Sequence, residues 1–162
     1  MEQPHPDAVL NQIRLARVGG TAVKIMVVED DELVALSVET FLRHHGHEVS
    51  GPYASSEEVF RAVRNGRPDC VLMDINLRGA ASGLDCAQVL FKRFRIPVVF
   101  LSSDPDKARQ GDRVALAYIA KPVSGRGLLA SIQAVGAMIE GRPLRYVPPE
   151  MTVFRAAGCE PS

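Results

Sequence analysis

A chain of 162 residues fits one domain with some tail, and 46% hydrophobic against 23% charged residues leaves apolar material for a real core. Lys plus Arg number 19, as do Asp plus Glu, so the formal net charge is +0. Nothing global therefore pulls the protein toward nucleic acid or an anionic membrane, and no strong local basic patch stands out.

Met1 to Gly20 is polar, holds Pro4 and Pro6, and lacks the basic start and continuous apolar stretch of a signal peptide. Val9, Leu10, Ile13 and Leu15 are loosely amphipathic there, and Gly19-Gly20 separates them from the apolar run that begins at Val23. Val23 to Val28 is short, β-branched and nearly all apolar, which predicts a strand buried on both faces of a sheet. Leu33, Leu36, Phe41 and Leu42 then recur at helical spacing. Glu48 to Pro52 is a weaker strand candidate. Val59, Phe60 and Val63 predict a short helix capped by Ser55 or Ser56. Cys70 to Met73 is a second buried strand run and ends on Asp74. A helix is expected from about Leu84 to Phe94, a strand over Pro97 to Leu101, and another over Tyr118 to Ala120. Leu128 to Ile139 closes as a helix, and Gly125-Arg126-Gly127 reads as its start rather than as a phosphate loop. Gly141 to Ser162, with Pro143, Pro148, Pro149 and Pro161, reads as a tail.

Strand and helix alternating about five times imply right-handed crossovers and a doubly wound, five-stranded parallel sheet. Such a sheet puts its ligand site at the carboxyl ends of its strands. The polar residues fall there. Glu29, Asp30 and Asp31 end the first strand, Asp74 the third, Ser102 and Ser103 the fourth, and Lys121 the fifth. Glu29, Asp30 and Asp74 bring three carboxylates that repel one another unless a cation sits among them, and oxygen-only donors suit Mg2+. A metal would neutralise an incoming phosphoryl group, and Asp74 is placed to attack phosphorus.

No apolar run approaches the roughly 20 residues that span a bilayer, and a cytoplasmic protein is expected. Cys70, Cys86 and Cys159 form no CxxC pair and read as reduced thiols, Cys70 and Cys86 being small core hydrophobes. His44, His45 and His47 sit at a helix end and point different ways, against joint metal binding.

The segments Val27 to Asp31, Leu72 to Leu77, Val99 to Ser103 and Tyr118 to Pro122 closely resemble the response-regulator receiver family of two-component signalling. Each motif alone is weak, but four in order on the expected strand ends are specific. The resemblance covers roughly Val23 to Glu140 and implies the flavodoxin-like (βα)5 fold. Residues 1–20 are then an N-terminal extension, 21–140 the receiver, and 141–162 a tail without an output domain. By the same resemblance Asp74 is the phosphoacceptor and Asp30 the direct Mg2+ ligand. Glu29 would help through water, and Asn76 would give a backbone carbonyl. Ser102 corresponds to the switch hydroxyl, Lys121 to the phosphate-pairing lysine and Tyr118 to the aromatic residue that turns inward. Pro122 corresponds to the proline whose preceding peptide, from Lys121, is cis.

Some positions depart from the family pattern. Arg78 stands where proline is usual, and Gly83 comes one residue late, so the loop from Arg78 to Ser82 is expected to be long. Ser103 replaces a common alanine. Ser102 to Lys121 is a short span interrupted by Gly111, which predicts a short or irregular fourth helix.

The resemblance implies a stand-alone phosphoswitch rather than an enzyme. A sensor histidine kinase would phosphorylate Asp74. Output would pass through an altered protein contact or onward to a histidine phosphotransfer protein, homodimerisation remains open, and nucleic acid and membrane are not expected partners. Two alternatives stand beside it: a phosphate-independent interaction module, and a small aspartate-based phosphatase. Against the phosphatase, Asn76 holds the place of the second aspartate and cannot transfer a proton.

Overall fold

The computed structural model describes residues 22–79 and 81–154. The N-terminal extension expected over residues 1–20, and Cys159 and Pro161, lie outside these residues. Strands β1 (Lys24–Val28), β2 (Glu48–Tyr53), β3 (Cys70–Met73), β4 (Val98–Ser102) and β5 (Ala117–Ala120) alternate with five helices. These are α1 (Glu32–His44), α2 (Ser56–Asn65), α3 (Gly83–Val89), α4 (Pro105–Gln110) and α5 (Gly125–Ile139), after which comes β6 (Met151–Val153). The sheet order is β2-β1-β3-β4-β5-β6. All pairings are parallel except β5 with β6. The doubly wound parallel fold expected from the sequence is present.

The period of two along each strand divides the core in two. Ile25 and Val27 join Leu72, Val99, Ile119, Leu128 and Ile132 under α1 and α5. Met26 and Val28 join Val71, Met73, Phe100, Val59 and Leu90 under α2 and α3. Because both faces are covered, β1, β3 and β4 read as apolar runs rather than as alternations. Cys70 and Cys86 belong to these cores as free thiols, and burial pushes them up to about 12 and about 11.

The local chemistry explains the helix ends. Ser55 caps α2 through Glu58 N, and Ser124 caps α5 through Gly127 N at 3.0 Å. Ser82 and Asp85 form a capping box on α3. The helix expected over Leu84 to Phe94 is not one α-helix. It gives way after Val89 to a π-helical turn, Leu90–Phe94, closed by Arg95 in the left-handed region at φ 54°. Arg67 reaches across to the carbonyls of Phe94 and Arg95 and satisfies that end. The short fourth helix is present as the six residues of α4, ending at Gly111.

Two glycines are required by their surroundings. Gly51 has φ +98° and sits where β2 slips in register against β1, with a position for Cβ only 2.7 Å from the Val27 carbonyl. It precedes Pro52, whose missing N–H is tolerated because β2 is an edge strand. Gly83 starts α3 directly against the chain that follows β3. A Cβ there would meet the Asp74 carbonyl oxygen at 2.2 Å, and the Gly83 N–H donates to Ile75 O at 2.9 Å.

The segment expected to be a tail is in part sheet, so the five expected strands become six. Met151, Thr152 and Val153 run antiparallel to Ile119, Tyr118 and Ala117. Ala120 N–H donates to Glu150 O and Phe154 N–H to Leu116 O, both at 2.8 Å, and Met151 is buried in the α1/α5 core. Three residues after a Pro-Pro pair carry no periodicity of their own. The strand arises from the open edge of β5, whose unpaired backbone groups it satisfies.

His47 is buried where α1 leads into β2, and its Nδ1 accepts the Val23 N–H at 3.2 Å. Burial, with nearby His45, holds its pKa below the ordinary histidine value. The unfolded chain therefore binds the proton more readily, and stability falls as pH drops below about 6.5. Chemical denaturation of wild type between roughly pH 8 and pH 5 should show a declining unfolding free energy. His47→Asn keeps an acceptor for Val23 but does not titrate, and its decline should be shallower. Identical slopes would contradict this role.

Candidate functional site

The acid cluster follows from strand register. Val28 pairs with Met73, and Asp74 N–H donates to Val28 O at 2.9 Å, so the residues leaving β1 and β3 emerge side by side. Glu29, Asp30 and Asp74 each offer a carboxylate oxygen, all within 4.8 Å of one another. Glu29 and Asp74 are both 7% exposed. The third acid after β1 does something else. Asp31 caps α1, its Oδ1 accepting the Leu33 and Val34 N–H groups at 3.0 and 3.1 Å. The carboxylates of the Glu29-Asp30-Asp31 run thus divide between cluster and helix cap.

Lys121 reaches the cluster from the end of β5. Its Nζ lies 2.9 Å from Glu29 Oε2 and 3.8 Å from Asp74 Oδ2. Its N–H donates to Ser102 O at 2.9 Å, which ties the ends of β4 and β5 together, and the Lys121–Pro122 peptide is cis. Glu29 is held above the ordinary carboxylate pKa, first by burial and then by the charge of Asp74, with Lys121 acting in the opposite sense. Asn76 N–H donates to Asp74 Oδ1 at 3.0 Å and so fixes that carboxylate.

Two expected switch residues make other contacts. Ser102 is 1% exposed and its Oγ accepts the Asp104 N–H at 3.1 Å, within its own turn. Tyr118 is buried in the core under α2 and α3, on β5, the strand that leads into Lys121. The His44 and His45 rings meet edge-on with centroids 5.3 Å apart, but no group of three histidines able to hold a metal forms among the described residues. His45 Nδ1 is 2.8 Å from Phe41 O, His47 faces Val23, and among the described residues the cluster able to hold a metal is the acidic one.

Two cations were not expected at the site. Arg78 meets Asp30 Oδ2 twice: its main-chain N–H donates at 2.9 Å, and its guanidinium forms an ion pair, with Nε 3.3 Å away. Lys107, on α4, donates from Nζ to Asn76 Oδ1 at 3.0 Å. The signal for Arg78 was present as an arginine in place of a usual proline. Nothing in the spacing of Lys107 marked it.

The donor set fits a hard divalent cation. It is all oxygen and carries three carboxylates, brought together where β1 and β3 end. Glu29, Asp30 and Asp74 would hold Mg2+, and the ion would supply neutralisation of charge on an incoming phosphoryl group.

The response regulator receiver domain model matches residues 25–133. The phyllosphere-induced regulator PhyR of Methylorubrum extorquens is 34% identical over 113 residues, covering 68% of this chain and 42% of that protein. The signal receiver domain of a modulated diguanylate cyclase from Desulfovibrio desulfuricans G20 superposes with a TM-score of 0.67. It is 31% identical and covers 74% of this chain and 98% of that one. PhyR from Bartonella quintana, described as an anti-anti-sigma factor, gives a TM-score of 0.67 at 26% identity, over 83% of this chain and 56% of that one. The chain spans about half the length of the curated relatives it matches.

Proposed function

This chain belongs to the response-regulator receiver family, and from that premise we propose that it is a Mg2+-dependent phosphoswitch that accepts a phosphoryl group on Asp74. The observation that carries this reading is the convergence of Glu29, Asp30, Asp74 and Lys121 from the ends of three strands. A histidine kinase would be the physiological donor. A carboxylate oxygen of Asp74 attacks phosphorus as the bond to the donor breaks, leaving an aspartyl phosphate and the free donor.

The residues divide the work. Asn76 holds one Asp74 oxygen through its N–H, and the other faces Lys121. Phosphorylation adds about −1.5 to −2 charge, which draws Lys121 from Glu29 toward the phosphoryl oxygens. Ser102 exchanges its bond to the Asp104 N–H for one to the same group. Both movements act on the ends of β4 and β5, joined through Lys121 N–H and Ser102 O, and reach Tyr118 along β5. A full reversal from 1:99 to 99:1 requires about 5.5 kcal/mol of differential stabilisation, within reach of one ion pair, one hydroxyl bond and metal contacts in a half-buried site.

In this reading residues 21–140, completed by β6, are the switch, working in the cytoplasm. The output is a changed protein-contact surface or onward phosphotransfer, with self-association as one form of contact. The anti-anti-sigma description of one relative favours output by protein contact. Asn76 carries no group for proton transfer, which disfavours a phosphatase.

Incubation with acetyl phosphate should give stable incorporation of one phosphoryl group with Mg2+ present and background levels with chelator. The label should be lost at high pH and to hydroxylamine, as an acyl phosphate is. Folded protein that takes no label with Mg2+ would favour the phosphate-independent interaction module.

A further inference from the structure

We propose that Arg78 is a resident counterion for Asp30, competing with the divalent cation and so setting how much Mg2+ the site requires. The inference rests on the reading of the acid cluster as a Mg2+ site and concerns this chain's own arginine.

Arg78 makes two contacts that a proline in its place could not. Its main-chain N–H donates to Asp30 Oδ2 at 2.9 Å, and its guanidinium forms an ion pair with the same oxygen, Nε lying 3.3 Å away. Proline has no N–H and no charge. Three carboxylates therefore face two cations, Lys121 on Glu29 and Asp74, and Arg78 on Asp30.

The two cations differ in how they can leave. Lys121 is 25% exposed and tied between two buried acids, whereas the Arg78 side chain is 88% exposed and only Asp30, at 12%, is sheltered. The guanidinium can swing into water without opening the core. While it stays, it places a positive charge beside an oxygen that a metal would use, which weakens the hold on a divalent ion. For a largely solvated charge at this range the penalty is on the order of 3- to 10-fold in affinity. Arg78 is thus a positioning residue. Its main-chain N–H orients Asp30, and its side chain opposes loading until Mg2+ displaces it.

The test is a Mg2+ titration of the full chain followed by backbone amide shifts of the residues around Asp30 and Asp74. It compares wild type, Arg78→Gln and Arg78→Lys. Arg78→Gln retains the main-chain donor and loses the charge. Its half-saturating Mg2+ concentration should be about 3- to 10-fold lower than that of wild type at low salt. Raising ionic strength to roughly 0.5 M should bring the two together. Arg78→Lys should stay nearer wild type, and the Arg78 Nε–H resonance should move as Mg2+ saturates. Mg2+ binding by wild type with equal or weaker binding by Arg78→Gln overturns the inference. Binding by neither chain overturns the metal reading itself.

Discussion

Replacing Asp74 by asparagine should reduce phosphoryl incorporation from acetyl phosphate by at least about a hundredfold, to background, without unfolding the protein. The amide cannot serve as the nucleophile. Its oxygen can still accept the Asn76 N–H, which Asp74 Oδ1 accepts at 3.0 Å. Lys121 keeps its closer partner, Glu29, at 2.9 Å. One of three mutually repelling carboxylates is removed, so the metal-free fold should lose no stability. Incorporation and the denaturation midpoint, measured on the same preparation, separate loss of chemistry from loss of structure. Substantial label on folded Asp74→Asn would place the phosphoryl group elsewhere.

Phe100→Ala should cost about 3–5 kcal/mol of unfolding free energy. Phe100 is fully buried at the centre of β4, between Met73 on β3 and Tyr118 on β5, with its ring against Gly111. Removing the ring leaves a void among main-chain-anchored neighbours that cannot collapse fully. Against a typical total of about 5–15 kcal/mol, that loss removes a large share of the stability. Urea denaturation should show a lower midpoint with an unchanged slope. Leu36→Ala, at a position 58% exposed on α1, should change stability by only about 0.5 kcal/mol. A Phe100→Ala cost no greater than that of Leu36→Ala would contradict the two-sided core.

Much of the fold is legible because both faces of the sheet are covered. Burial on two sides forces the apolar runs at Val23 to Val28, Cys70 to Met73 and Pro97 to Leu101, and where each run stops a polar residue marks a strand end. That is why Glu29, Asp30, Asp74 and Lys121 could be placed together from the sequence alone. Other features depend on pairing or loop length, which a linear pattern does not carry. Met151 to Val153 is a strand only because β5 offers an open edge. Asp31 shares the acidic run after β1 with Glu29 and Asp30 but caps α1, a difference made by where its side chain turns. The break of the predicted Leu84 to Phe94 helix at Leu90 has no Gly or Pro to announce it. Arg78 was visible as a departure, but its contact with Asp30 depends on how the loop after β3 folds back.

The most direct measurement is to map the phosphoryl group. Full-length protein would be incubated with acetyl phosphate, with Mg2+ or with chelator, then reduced with borohydride and sequenced as peptides by mass spectrometry. Reduction of an aspartyl phosphate leaves homoserine. Homoserine at Asp74, formed with Mg2+ and absent with chelator, is the predicted result. Modification at another residue, or at Asp74 regardless of Mg2+, would contradict a metal-dependent switch built on Glu29, Asp30, Asp74 and Lys121.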